Sequence, residues 1–172
     1  MGHPIMALKR TSEPFIISTE LLESAANTFT QGTIQVNLNP LDQEVLLILA
    51  VDIDAFSPDV VTATNTRTNL SVSTSSQTGV IGIGDSACIA SQSIEVKTDG
   101  TNHVVFDRLQ SVQPTSDMIS YISILATNNF FVQTLGVNNA GAKGGNVRMW
   151  VVRAKADSAT YAALVNSELL SA

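Results

Sequence analysis

Three aspartates fall close together in this chain: Asp52 and Asp54, spaced i and i+2 at the end of an apolar run, and Asp59 in the segment that follows. On a strand, positions i and i+2 project from one face, and three carboxylates within reach of one another can hold Ca²⁺ through oxygen ligands. The spacing departs from an EF-hand. With Asp52 as position 1, position 6 is Ser57 rather than Gly and position 12 is Ala63 rather than Glu. The expectation is solvated carboxylates at a strand end and no resident metal or other cofactor. A cation held by Asp52, Asp54 and Asp59 at a subunit junction is the alternative. Zinc is unsupported, because one Cys and two distant His supply no tetrahedral set.

Nucleophilic chemistry has one candidate, Gly84-Asp85-Ser86-Ala87-Cys88, which looks superficially like the Gly-Asp-Ser motifs of hydrolases. A serine nucleophile needs a His base held by a third group. Only His3 and His103 exist, one near the chain start and one beside an expected turn, and Gly-x-Ser-x-Gly is absent. Cys88 sits between Ala87 and Ile89 and reads as a small buried hydrophobe. No catalytic residue is assigned, and the chain is not expected to be an enzyme. Residues 79–84 carry three glycines but neither a phosphate-binding order nor a P-loop Lys, so they read as a flexible loop. The four Lys and five Arg are scattered and only Lys9 and Arg10 are adjacent; with net charge −6, direct nucleic-acid binding is not expected. Arg148 and Arg153 flank Trp150, which reads as a half-buried Trp covered by Arg stems.

These residues need elements to position them, and period-two alternation sets the class. Residues 32–38 place Ile34, Val36 and Leu38 on one strand face. Residues 45–51 are apolar throughout and too short for a typical helix, so they read as a strand covered on both faces. Further strands are expected at 14–19, 28–38, 66–75, 88–96, 103–109, 119–126, 130–135 and 146–154. Asp99-Gly100 and Asn128-Asn129 have the turn chemistry of hairpins. A short helical turn is expected within 20–26, and 55–65 and the Gly-rich 138–146 read as long, adaptable connections. Asp157-Ser158 can cap an amphipathic helix over 158–170 with Tyr161, Leu164, Val165 and Leu169 on one side. The expected fold is all-β: an antiparallel sandwich or jelly-roll-like barrel of eight or nine strands with a short C-terminal helix.

At 172 residues the chain fits one core. Charged residues are 14% of it, against roughly 25% in ordinary soluble domains, while Ser, Thr and Asn number 18, 17 and 12. The surface must therefore be largely uncharged. The start lacks the charged and apolar regions of a secretory signal, and the longest apolar run covers seven residues where a membrane helix needs about 20. A strand apolar on both faces needs cover that a lone sandwich does not give, and residues 146–154 repeat the problem, with Val147, Met149 and Val151 on one face and Trp150 and Val152 on the other. A neighbouring copy is the expected cover.

The layout resembles the small single-jelly-roll capsid proteins of viruses. The resemblance spans nearly the whole chain: an arm through Met1 to Pro14, a Thr/Ser-rich strand within 62–76, eight or nine strands and a closing helix at 158–170. It implies a virion structural protein that self-assembles into a shell, with copies of itself and other virion proteins as partners and no transmembrane segment. The implied division is 1–14 as an N-terminal arm, 15–156 as one sandwich domain and 157–172 as a helix packing on the domain or on a neighbour. Capsid proteins of this type that pack single-stranded genomes often carry an Arg/Lys-rich arm. Here the arm holds only Lys9 and Arg10, which speaks against direct genome binding and favours a shell laid over an internal membrane or another protein layer, or a genome packaged by other means. From a different class, a β-sandwich binding module for carbohydrate or host attachment is the alternative; sugar platforms need exposed aromatics, of which one Trp and two Tyr are a thin supply, and the mass of the purified protein in solution discriminates the two.

Overall fold

The computed structural model describes residues 8–110 and 121–170. In chain order the strands are β1 (Leu8–Arg10), β2 (Phe15–Leu22), β3 (Thr30–Gln35), β4 (Glu44–Ala55), β5 (Thr66–Ser73), β6 (Cys88–Thr98), β7 (His103–Gln110), β8 (Ser123–Leu125), β9 (Asn129–Val137) and β10 (Gly144–Ala156), followed by helix α1 (Ser158–Leu170). All strand pairings are antiparallel. One sheet has β10 between β4 and the pair β1 and β2, with β8 beyond β4; the other runs β3-β9-β5-β6-β7. The chain is all-β with a short C-terminal helix, as the alternation predicts. The pairs are nested: β5 lies on β6, β4 on β8, β3 on β9 and β2 on β10.

The core lies between the sheets. Leu46, Ile48, Val51, Ile53, Val147, Met149 and Val151 meet Leu70, Val72, Ala90, Phe130 and Val132, all buried. A bulge lets one strand serve this core along its whole length. Trp150 pairs with Ala50 but Val151 pairs with Ile48, so Leu49 is an extra residue in β4. An extra residue reverses the alternation, which is why even positions 46 and 48 and then odd positions 51, 53 and 55 all point inward.

The opposite face of that sheet is also apolar at one end. Val45, Leu47, Val152, Ala154 and Ala156 are buried there against Tyr161, Leu164 and Val165 of α1. The expectation that a neighbouring copy must cover residues 45–51 is therefore corrected: the chain's own helix does it. Asp157 caps α1 as its sequence predicts, its Oδ1 accepting from Thr160 N–H at 2.7 Å. Glu168 pins the far end, accepting from Ala126 N–H at 2.6 Å and Thr127 N–H at 2.9 Å.

Turn chemistry holds at one junction and fails at the other. Asp99-Gly100 closes the β6–β7 hairpin, with Gly100 at φ 102. The same loop is braced by Asp99 Oδ1, which accepts from Thr101 and Asn102 N–H. Asn128-Asn129 does not make a hairpin, because β8 and β9 belong to different sheets. The segment crosses between them, and Asn128 is held by Val36 N–H on its carbonyl and Leu38 N–H on its side chain. The helical turn expected within 20–26 is likewise replaced: Glu20, Leu21 and Leu22 continue β2 opposite Asn146, Gly145 and Gly144. Those two glycines are strand, not adaptable loop. A Cβ on Gly144 would fall 1.9 Å from the Leu21 carbonyl oxygen, and one on Gly145 would fall 2.5 Å from that of Asp54. Of the strand expected at 119–126, residues 119 and 120 lie outside the described residues.

Candidate functional site

The outer face of the β10 sheet divides at the bulge. Beyond the end covered by α1, the strands carry polar side chains in register: Arg148 stands between Ser18 and Asp52, and Asn146 between Glu20 and Asp54. These six residues line an open cleft of about 530 Å³. Asp52 and Asp54 thus share one face, as i, i+2 spacing dictates, with an arginine among them.

Asp59 is taken elsewhere. Its carboxylate accepts from Lys143 Nζ at 2.6 Å, from Ala140 N–H at 2.9 Å and from Gly141 N–H at 3.1 Å. Lys143 above all holds this carboxyl below its usual range, helped by the Gly141 amide. Among the described residues no three His, Cys, Asp or Glu side chains are grouped to hold a metal ion. The loop carrying Asp59 is fixed further by Asn139, whose Oδ1 accepts from Asp59 N–H at 2.9 Å.

Residues 84–87 form turns that lead into β6 at Cys88. Asp85 Oδ1 accepts from Ala87 N–H at 2.8 Å and its carbonyl from Cys88 N–H at 3.0 Å, so this carboxylate braces the backbone. His103 Nε2 lies 3.3 Å from the Val61 carbonyl oxygen; His3 is outside the described residues. Cys88 is half-buried, and burial, with the nearby Asp85 charge, pushes its thiol up to about 11, far from a thiolate at neutral pH. The two arginines near Trp150 part company. Arg153 turns to Glu44 and to the Val36 carbonyl, with its guanidinium over the Phe15 ring, and does not cover Trp150.

Two features carry no local sequence signal. On the outer face of the β9 sheet, Gln133 is fully buried: its Oε1 accepts from Ser71 Oγ at 2.7 Å, and its Nε2 donates to Ser73 Oγ at 2.8 Å and Gln31 Oε1 at 2.9 Å. Residues 74–87 lie over this network, with Gln77 N–H and Ile81 N–H donating into it, so the glycine stretch at 79–84 is anchored at Ile81. The second feature is β7. It ends the five-stranded sheet, and every described side chain from His103 to Leu109 is exposed. Val104, Phe106 and Arg108 lie on the face of Lys97 and Glu95, while His103, Val105, Asp107 and Leu109 lie on the other. Exposures of 54% for Val104, 63% for Val105, 50% for Phe106 and 55% for Leu109 leave apolar surface on both faces beside a strand edge that no other described strand pairs with.

No known protein family matches the chain, and no curated protein matches it. Among solved structures it is similar to a chain from the single-particle structure of maize chlorotic mottle virus, at 13% identity over 85% of this chain and 96% of that one, with a TM-score of 0.32.

Proposed function

We propose that this chain is a virion structural protein, a non-catalytic capsid subunit that self-assembles with copies of itself into a shell. Its fold in this proposal is a jelly roll: an arm at 1–14, one sandwich at 15–156 and a closing helix at 157–172. The nested pairs support the jelly roll, since rolling up one long hairpin with β5 and β6 at its tip yields the order β2-β10-β4-β8 against β3-β9-β5-β6.

The observation that carries the assembly reading is β7. An isolated sandwich buries apolar residues of its strands on at least one face, whereas here Val104, Val105, Phe106 and Leu109 are all exposed at a strand edge. Natural monomers blunt such edges, because an exposed apolar edge pairs with another chain. With charged residues only 14% of the chain, there is little repulsion to oppose that. A net charge of −6 and scattered cations go with a shell that does not bind nucleic acid by its own charge.

Negative-stain electron microscopy of the purified full chain tests this. Closed particles or rings of uniform diameter are expected, and a field of single 18.2 kDa subunits at high concentration contradicts it. The binding-module alternative draws on the polar cleft around Arg148, whose Ser18, Glu20, Asp52, Asp54 and Asn146 could hydrogen-bond a hydroxylated ligand. A monomer that binds glycans, and loses them on Arg148→Ala, is the outcome that favours it.

A further inference from the structure

We propose that two copies of this chain pair through β7, antiparallel about a two-fold axis between the two Val105 residues, so that the two five-stranded sheets continue as one across the contact. The inference deepens the shell reading and rests on it only in taking a second copy as the partner.

Among the described residues no strand pairs with the far edge of β7, and that edge is prepared for this. Asp99 N–H donates to the Asn102 carbonyl, so 99 and 102 form a hydrogen-bonded pair. Antiparallel pairs alternate between bonded and non-bonded, and the β6–β7 register runs without a shift from Thr98↔His103 to Ser91↔Gln110. It follows that residues 104, 106 and 108 bond to β6, while 103, 105, 107 and 109 turn their N–H and C=O groups to the open edge. A second β7 can bond there without disturbing the existing ladder.

Charge selects the register. A two-fold axis normal to the sheet keeps each face together, so it must pass through a residue pairing with its own copy. Centred on Asp107, two carboxylates stand side by side, and like charges directly opposite destabilise. Centred on Phe106, each Asp107 faces the apolar Val105 of the other copy. Centred on Val105, the pairs are Val105 with Val105, Val104 with Phe106 and His103 with Asp107, the last occurring twice. That register matches apolar with apolar on both faces and places an imidazole against a carboxylate. Both partners have capacity left: Asp107 Oδ1 accepts from Gln92 Nε2 at 3.0 Å, leaving Oδ2, and His103 uses Nε2 toward Val61, leaving Nδ1.

The test uses the full chain with Cys88→Ser and Val105→Cys, treated with a short bis-maleimide in native buffer and run on a denaturing gel. A covalent dimer is expected, with little from Val137→Cys, an exposed site on β9. His103→Asp should weaken pairing by about tenfold, through two mismatched pairs, and His103→Asp with Asp107→His should restore it, with circular dichroism melts confirming that each variant folds. If the chain forms large assemblies but Val105→Cys does not cross-link, the β7 contact is wrong and the shell stands. If it is monomeric at every concentration, both fall. Unchanged pairing in His103→Asp overturns the register.

Discussion

At Asp59 the ionised carboxyl is favoured by Lys143, Gly141 and Ala140, so its folded pKa lies below the ordinary 3.8. A carboxyl depressed on folding stabilises the protein above its unfolded pKa, and that contribution is lost as pH falls toward the folded value. Asp59→Asn should therefore lower the Tm at pH 7, with the gap to the parent closing as pH drops below about 3.8; thermal melts across pH 2 to 7 measure it. EDTA and added Ca²⁺ should leave both melts unchanged, and a chelator effect restored by Ca²⁺ would return the site to metal chemistry. Glu168 has the opposite sign. Burial raises its pKa above the ordinary 4.5 despite the amides of Thr127 and Ala126. Stability from this group is full below 4.5 and falls as pH rises through the folded value. Urea unfolding should show that fall in the parent and not in Glu168→Gln. The acidity of Asp59 and its place after a strand are legible in the sequence. Its partner is not, because Lys143 lies 84 residues away and only the β4–β10 pairing brings it near.

The bulge in β4 and the helix α1 together decide which residues of that strand matter and why. Leu46 is buried between the sheets and Leu47 beneath the helix. Leu46→Ala should cost about 2 to 5 kcal/mol by chemical denaturation. Leu47→Ala should also be costly in the full chain, and much less so in a chain ending at Asp157, where the cover is gone. Equal penalties in the two chains would mean that α1 is not what buries Leu47. Gly144→Ala should be more damaging than its size implies, because the added Cβ meets the Leu21 backbone and not a movable side chain. Periodicity reveals nine of the ten strands and the final helix, since 2.0 and 3.6 residue rhythms are local properties. It misses β1, whose three residues Leu8–Arg10 are too few to show a rhythm. It also misreads Asn128-Asn129, because the same turn residues serve a hairpin or a crossover, and the sheet that receives β9 is settled by long-range pairing with β3 and β5.

At the scale of the molecule, the apolar strand that first pointed to a neighbour is satisfied internally, while a strand that reads as ordinary turns out to be the exposed one. Val104, Val105 and Phe106 are visible in the sequence as a strand core; that they lie uncovered depends on β7 ending its sheet, a fact of topology. In the proposed shell, contact is apolar with few charges, so assembly should persist in high salt, where interactions between exposed charges are screened. The most direct measurement is the mass distribution of the purified full chain by analytical ultracentrifugation across a wide concentration range. Discrete species well above 18.2 kDa, growing with concentration and reduced by Val105→Lys, are predicted. A single species at 18.2 kDa throughout, unaffected by Val105→Lys, would contradict the account.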